Sequence, residues 1–260
     1  MSQAIPLVTC MFYGSEAGFR SAFQEMKWTL KQNPDFWKQV ILYIDVEGSR
    51  RIEKYKSCFR QVVVDHDLPD YVAADKKWNC KGYWAKQAVE TYGRVMQCDF
   101  DIWVRKPLDE AFWNALSFAP RFLDITTYTK GEKIVGCGCY VIDEKCDWDR
   151  FLPLMYEKWK HDELAWSEAL SLDRETFLKS NMPLAPYLVD RSWLFDFPER
   201  RDEPYIVHGI SGLDNGIGRL KTIGYDVKEE GFYASLPDWI RWESGKLYRK
   251  GKRLLKGLRL

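Results

Sequence analysis

Residues 94–108 read RVMQCDFDIWVRKPL. Val95–Cys98 is a short apolar run that leads directly into Asp99-Phe100-Asp101, and the spacing predicts a strand delivering two acids from its C-terminal end. In an extended segment, residues two apart project to the same side, so both carboxylates face one way and Phe100 turns the other way into packing. A D-x-D triplet alone reads first as a solvated turn. Its setting here favours a cleft, because it sits between an apolar strand and a second extended piece, Ile102–Val104. In open α/β sheets, ligands bind beyond the carboxyl ends of strands.

Upstream of this stretch, Pro6–Tyr13 is β-rich and ends at Gly14-Ser15. Glu16–Gln32 then carries Phe19, Ala22, Phe23, Met26 and Leu30 near helical spacing, and Asn33-Pro34 stops it. Val40–Ile44, ending at Asp45, and Gln61–Val64 are continuous apolar runs on either side of a short basic segment, 50–60. Residues 75–92 are helical in pattern until Gly93-Arg94 breaks them. Short all-apolar strands alternating with helices predict an α/β fold with a mixed, mostly parallel central sheet flanked by helices, of the Rossmann-like kind.

Downstream, the patterning predicts a short helix at 107–116, strands at 122–128 and 134–143, and helices at 148–160 and 162–179. After Pro183, extended pieces mix with turns. No repeat or linker divides the chain. The expectation is one α/β domain over 1–240, more irregular in its C-terminal half, followed by a basic tail at 241–260.

The chain has 260 residues, and 39 Lys and Arg against 38 Asp and Glu leave a net charge of +1, so bulk charge names no nucleic acid partner. With 46% hydrophobic and 30% charged residues, wholesale disorder is excluded. No apolar run approaches the roughly 18–20 residues that span a bilayer, and the first residues, MSQAIPLVTCMFYG, lack a signal-like pattern. A cytoplasmic protein with reduced thiols is expected. The seven cysteines include one close pair, Cys137 and Cys139, which lacks zinc-site spacing. The last sixteen residues, GKLYRKGKRLLKGLRL, are basic and amphipathic, which fits either a solvated tail or peripheral contact with an anionic membrane surface. The 12 Trp, 14 Tyr and 14 Phe suit a core and also suit sugar faces, with Trp166 and Trp193 as candidates for stacking on a ring.

RVMQCDFDIWVRKPLDE resembles the D-x-D region of the GT-A nucleotide-sugar glycosyltransferases. Three further segments follow in the order seen in retaining families 6 and 8 of that fold: VGCGCYVID (135–143), HDELAWSEAL (161–170) and YIVHGISG (205–212). KWKHDE and PLAPYLVD, within 158–190, are particularly similar to family 6. The resemblance implies a metal-dependent glycosyltransferase that uses a nucleoside-diphosphate sugar, UDP-linked by preference, as donor and a glycan or glycoconjugate as acceptor, with 1–240 as one catalytic domain made of a donor-binding half at about 1–130 and an acceptor and catalytic half at about 131–240. The similarity around His161-Asp162-Glu163 points to retention.

It also implies roles for individual residues. Asp99, Asp101 and His208 would hold the metal, with Asp99 also near the ribose. Two carboxylates and an imidazole suit Mn²⁺ better than Mg²⁺. Glu163 would attack the anomeric carbon or stabilise its positive charge, Asp162 would bind donor-sugar hydroxyls, and His161 would contact donor or acceptor. From spacing alone, Asp162 and Glu163 also read as an ordinary acid pair at a helix start. Thr9 and Tyr13 would cradle the nucleotide, although Tyr13 equally fits a buried first strand. Lys86 would lie near the pyrophosphate or sugar, with Lys81 and Lys77 competing for that place and Asp75 on the nucleotide side. The Lys-Pro-Trp that follows the His in family 8 is absent, leaving Arg219 and Lys221 as substitutes. Two alternatives compete with this reading. One is a non-catalytic carbohydrate-binding member of the fold. The other is a sugar nucleotidyltransferase, which CMFYGSEAGFR disfavours because it lacks a clustered Gly-rich phosphate loop.

Overall fold

The computed structural model describes residues 5–14, 16–73, 77–115, 121–124, 136–159, 162–170, 188–190 and 198–209. His161, Asp75, Trp193, Arg219, Lys221 and the tail at 241–260 lie outside them, as does the side chain of Lys77.

The apolar runs become the strands β1 (Leu7–Met11), β2 (Val40–Asp45), β3 (Gln61–Asp65) and β4 (Arg94–Cys98), joined by β6 (Arg121–Asp124) and β7 (Gly136–Asp143). They form one six-stranded sheet in the order β3-β2-β1-β4-β7-β6. The pairs among the first four strands are parallel and β7 is antiparallel to both its neighbours, so β7 alone runs against the rest. This is the mixed, mostly parallel sheet expected from the sequence.

Helices cover both faces, which explains why β2 is apolar at consecutive positions. Leu42 and Ile44 pack with Met26 and Leu30 of α1 (Glu16–Gln32), and with Phe36 and Trp37 of α2 (Pro34–Trp37). Ile41 and Tyr43 pack on the other side with Trp84, Ala85 and Ala88 of α5 (Lys77–Tyr92). The same layer holds Phe151 of α7 (Trp148–Pro153) and Trp166 of α8 (Asp162–Ala169). Trp166 is fully buried, stacked on Phe151 with ring centroids 3.7 Å apart, so it belongs to the core and cannot meet a sugar ring. All seven cysteines are free thiols, five of them buried.

Three elements depart from the sequence reading. The basic segment is helical: α3 (Val46–Arg51) is capped by the Asp45 side chain, which accepts from the Gly48 N–H, and a 3₁₀ turn, Glu53–Cys58, follows it. A further short helix, α4 (Asp70–Ala73), precedes α5. The helix expected at 148–160 changes character at Pro153, and Leu154–Trp159 is π-helical. Proline lacks the N–H that would bond the preceding turn, which favours such a widening.

A second, three-stranded sheet has the order β5-β9-β8, from β5 (Ile102–Val104), β9 (Ile206–His208) and β8 (Leu188–Asp190). The end of α1 holds β5 in place. The Thr29 hydroxyl donates to the Ile102 carbonyl at 3.1 Å, and the Asn33 amide donates to the Val104 carbonyl at 2.7 Å and accepts from the Val104 N–H at 3.2 Å. The Asn33 that ends the first helix thus also fixes the segment after the two acids. A sixth helix, α6 (Glu110–Ala115), packs Phe112 against Tyr205 just before β9.

Candidate functional site

β1 continues to β2 and β3 on one side, while β4 lies on its other side, so the strand order reverses between β1 and β4. Such a switch point opens a crevice at the carboxyl ends of the strands. The pairing of β1 with β4 is limited to Leu7↔Met96 and Val8↔Gln97. Beyond it, the buried Thr9 hydroxyl bridges the two strands by donating to the Cys98 carbonyl at 2.7 Å. Thr9 therefore ties β1 to β4 where their pairing ends, and its hydroxyl is bonded within the fold.

Asp99 and Asp101 leave β4 at this point. Phe100 between them turns into the core and stacks on Trp37 at 5.1 Å, as the alternation requires. β9 returns antiparallel to β5 with Ile102 opposite His208, which brings the imidazole beside the acids from far along the chain. His208 Nε2 lies 3.3 Å from Asp101 Oδ1. Asp99, Asp101 and His208 each offer one ligand atom, and these atoms lie within 4.8 Å of one another.

Gly138 on β7 makes room for this arrangement. A Cβ there would sit 2.0 Å from His208 Cγ and 2.2 Å from its Nδ1, so the imidazole lies against bare backbone. The Gly138 carbonyl accepts from the Asp99 N–H at 2.7 Å. Two oxygen donors, one nitrogen donor and a cradle that any side chain would fill suit a divalent transition-metal ion.

Lys81 of α5 completes the centre. Its ammonium lies 2.9 Å from both Asp99 oxygens, 2.8 Å from Asp162 Oδ2 and 2.6 Å from the Cys137 carbonyl. Asp162 opens α8 and is buried, and its Oδ1 accepts from the Glu163 N–H at 3.0 Å. Glu163 is half-buried beside it.

Burial, with Asp101 and Asp162 nearby, pushes the Asp99 carboxyl up to about 6, against the opposing pull of Lys81 and His208. Burial also disfavours charge on Asp101, but the charge and hydrogen bond of His208 outweigh it and hold that carboxyl below its ordinary value. For Lys81, burial favours the neutral amine, yet Asp162 and Asp99 raise its pKa well above the usual lysine value.

The expected residues separate into two groups. Asp99, Asp101, His208, Asp162 and Glu163 come together. Lys86 does not: it lies on the outer side of α5, paired with Glu90. Lys81 occupies the inner position, and the pattern could have chosen it, because Lys81, Trp84, Ala85 and Ala88 recur at i, i+3, i+4 and i+7 on the buried face. Tyr13 lies just past β1. Its N–H donates to Asp45 Oδ1 at 3.0 Å, and the Arg51 guanidinium covers its ring at 5.1 Å.

No family model matches the chain, and no curated protein matches it. Several solved structures are similar, among them the following three. The apo form of the glycosyltransferase GlyE from Streptococcus pneumoniae TIGR4 aligns at 14% identity and a TM-score of 0.44, covering 80% of this chain and 55% of that one. The chain thus spans about half the length of GlyE. A glycosyltransferase involved in glycosylation of the major capsid of PBCV-1 aligns at 10% identity and a TM-score of 0.39, covering 84% and 99%. Mouse xyloside xylosyltransferase 1, also in its apo form, aligns at 13% identity and a TM-score of 0.37, covering 79% and 97%. All three TM-scores are below 0.5, and the functional reading rests on the residues of this chain. Among the described residues, no helix is long and apolar enough to cross a membrane.

Proposed function

We propose that the chain is a metal-dependent glycosyltransferase of the GT-A type, taking a nucleoside-diphosphate sugar as donor, UDP-linked by preference, and a glycan or glycoconjugate as acceptor. The observation that carries this reading is the convergence of Asp99, Asp101 and His208 at the switch point, with the acids of α8 beside them. Asp99, Asp101 and His208 would hold Mn²⁺, or Mg²⁺ in its place. Such an ion, when bound, stabilises the negative charge that builds on a departing diphosphate.

The protein groups divide the remaining work. His208 presents Nε2 to Asp101 while its ring packs over the bare backbone of Gly138. Both oxygens of Asp162 are engaged, one with Lys81 and the other with the Glu163 N–H, so the start of α8 is fixed relative to the metal ligands. Glu163 presents its carboxylate from that fixed start. In the retaining reading it supports positive charge at the anomeric carbon or forms a bond to it while the bond to the diphosphate oxygen breaks. Tyr13, past the end of β1, would serve the nucleotide side of the crevice.

Thermal unfolding with UDP-, GDP- and TDP-sugars, with and without Mn²⁺, tests the reading, since a ligand that binds only the native state raises its apparent stability. The expected result is a Mn²⁺-dependent shift with one donor series and slow release of the corresponding nucleoside diphosphate. A folded protein that shifts with none of them refutes it.

A further inference from the structure

We propose that Lys81 is a positioning residue, an internal counter-ion that fixes Asp99 against Asp162 and so joins the metal-ligand cluster to the start of α8, without itself binding the donor. The inference rests on the glycosyltransferase reading only for what the donor is.

An ammonium group has three donors and no acceptor. Here the Asp99 carboxylate and the Cys137 carbonyl accept hydrogen bonds from it at 2.9 and 2.6 Å, and Asp162 Oδ2 lies against it as an ion pair at 2.8 Å. The group is sealed from the crevice as well. The Lys81 side chain is 5% exposed, and the Tyr140 ring lies 5.5 Å from the ammonium. A phosphate oxygen would have to displace one of these partners to reach it.

The depth of the lysine is built into the packing of its helix. A Cβ at the next residue, Gly82, would lie 2.5 Å from the Met155 sulfur and 3.2 Å from the Phe151 ring, so α5 sits as close as backbone allows to α7 and the π-helical turn after it. Through that contact Lys81 reaches across to α8. Lys81 stands between the Asp99 and Asp162 carboxylates, and its single positive charge offsets their mutual repulsion. A buried charge deprived of its partner is strongly destabilising. Lys81 therefore holds in register two carboxylates that would otherwise repel each other.

The test compares K81M, D162N and K81M/D162N. With EDTA present, K81M is expected to melt on the order of 10 °C lower than the parent protein, because it leaves Asp99 and Asp162 unneutralised. K81M/D162N is expected to recover part of that loss by removing a charge along with its partner. A double variant that melts no higher than K81M overturns the counter-ion role. If K81M does not fold, folding of the double variant supports the role and its failure to fold overturns it.

At saturating Mn²⁺, K81M is expected to keep UDP affinity within about threefold while donor-hydrolysis kcat falls at least about tenfold, since displaced groups act on turnover. Loss of UDP affinity matching the loss of turnover would make Lys81 a direct donor contact and overturn the proposal. A parent protein that neither binds UDP nor releases it refutes the glycosyltransferase reading instead, and the melting comparison still decides the counter-ion role.

Discussion

Replacing Gly138 with alanine places a methyl group 2.0–2.2 Å from three atoms of the His208 ring. Ordinary carbon contacts begin near 3.4 Å, so the ring must retreat by roughly 1.4 Å. The strand behind it gives little, because Ile102↔His208, Trp103↔Val207 and Val104↔Ile206 pair β9 to β5, and Thr29 and Asn33 pin β5 to α1. Metal-ligand distances tolerate about 0.2 Å, so a displacement several times larger removes the imidazole from the site. G138A is therefore expected to weaken Mn²⁺ binding by about 10–100-fold, the range seen when a metal ligand loses its support. Overpacking should cost about 1–3 kcal/mol of stability, small enough to leave the protein folded. Mn²⁺ titration followed by electron paramagnetic resonance reads the affinity, and G138A/H208A supplies the control. With the ring gone, the methyl group has nothing to displace, and the double variant should bind like H208A alone. Unchanged affinity in G138A, or a full additional loss in the double variant, refutes the steric argument.

Other outcomes follow from the same geometry. D101N, which keeps the shape and removes the charge, is expected to lower donor hydrolysis at least about 100-fold with the circular dichroism spectrum unchanged. T29V strands two buried partners, the Trp37 indole N–H and the Ile102 carbonyl, and should cost about 1–3 kcal/mol in denaturant unfolding. W166A should cost about 3–5 kcal/mol and leave acceptor preference in any folded fraction untouched, because the ring is core. Asp99 has its carboxyl raised to about 6, so below that pH the proton occupies it and excludes the cation. Mn²⁺ affinity should fall as pH drops through that value and level off above it; a flat profile between pH 5 and 7 contradicts the assignment.

Much of the frame was legible in sequence because short-range physics governs it. The first helix begins at Glu16 and ends at Gln32, where apolar spacing and Asn33-Pro34 place its ends, and β2 is apolar from Val40 to Ile44 because both its faces are covered. The acids after β4 were legible as a strand ending in D-x-D. Three features were not, each for a physical reason. The turn into α3 depends on one side-chain cap from Asp45, which periodicity does not register. The π-helical turn after Pro153 follows the same apolar spacing as an α-helix nearly as well. Lys86 and Lys81 share a helix and a charge, and only the position of the buried stripe separates the inner lysine from the outer one.

The pairing of β5 with β9 also sets an order of events in assembly. Asp99 and Asp101 become available as soon as β4 joins the sheet, but the imidazole arrives only when a strand roughly a hundred residues further along closes onto β5, a long-range contact with a large entropic cost. An ion gripped by all three side chains would bind only the finished fold and would act as a clasp between early and late parts of the chain. Withdrawing it should loosen first the small sheet that carries His208, and hydrogen exchange at Ile206 and Val207 would register that release before the six-stranded sheet responds.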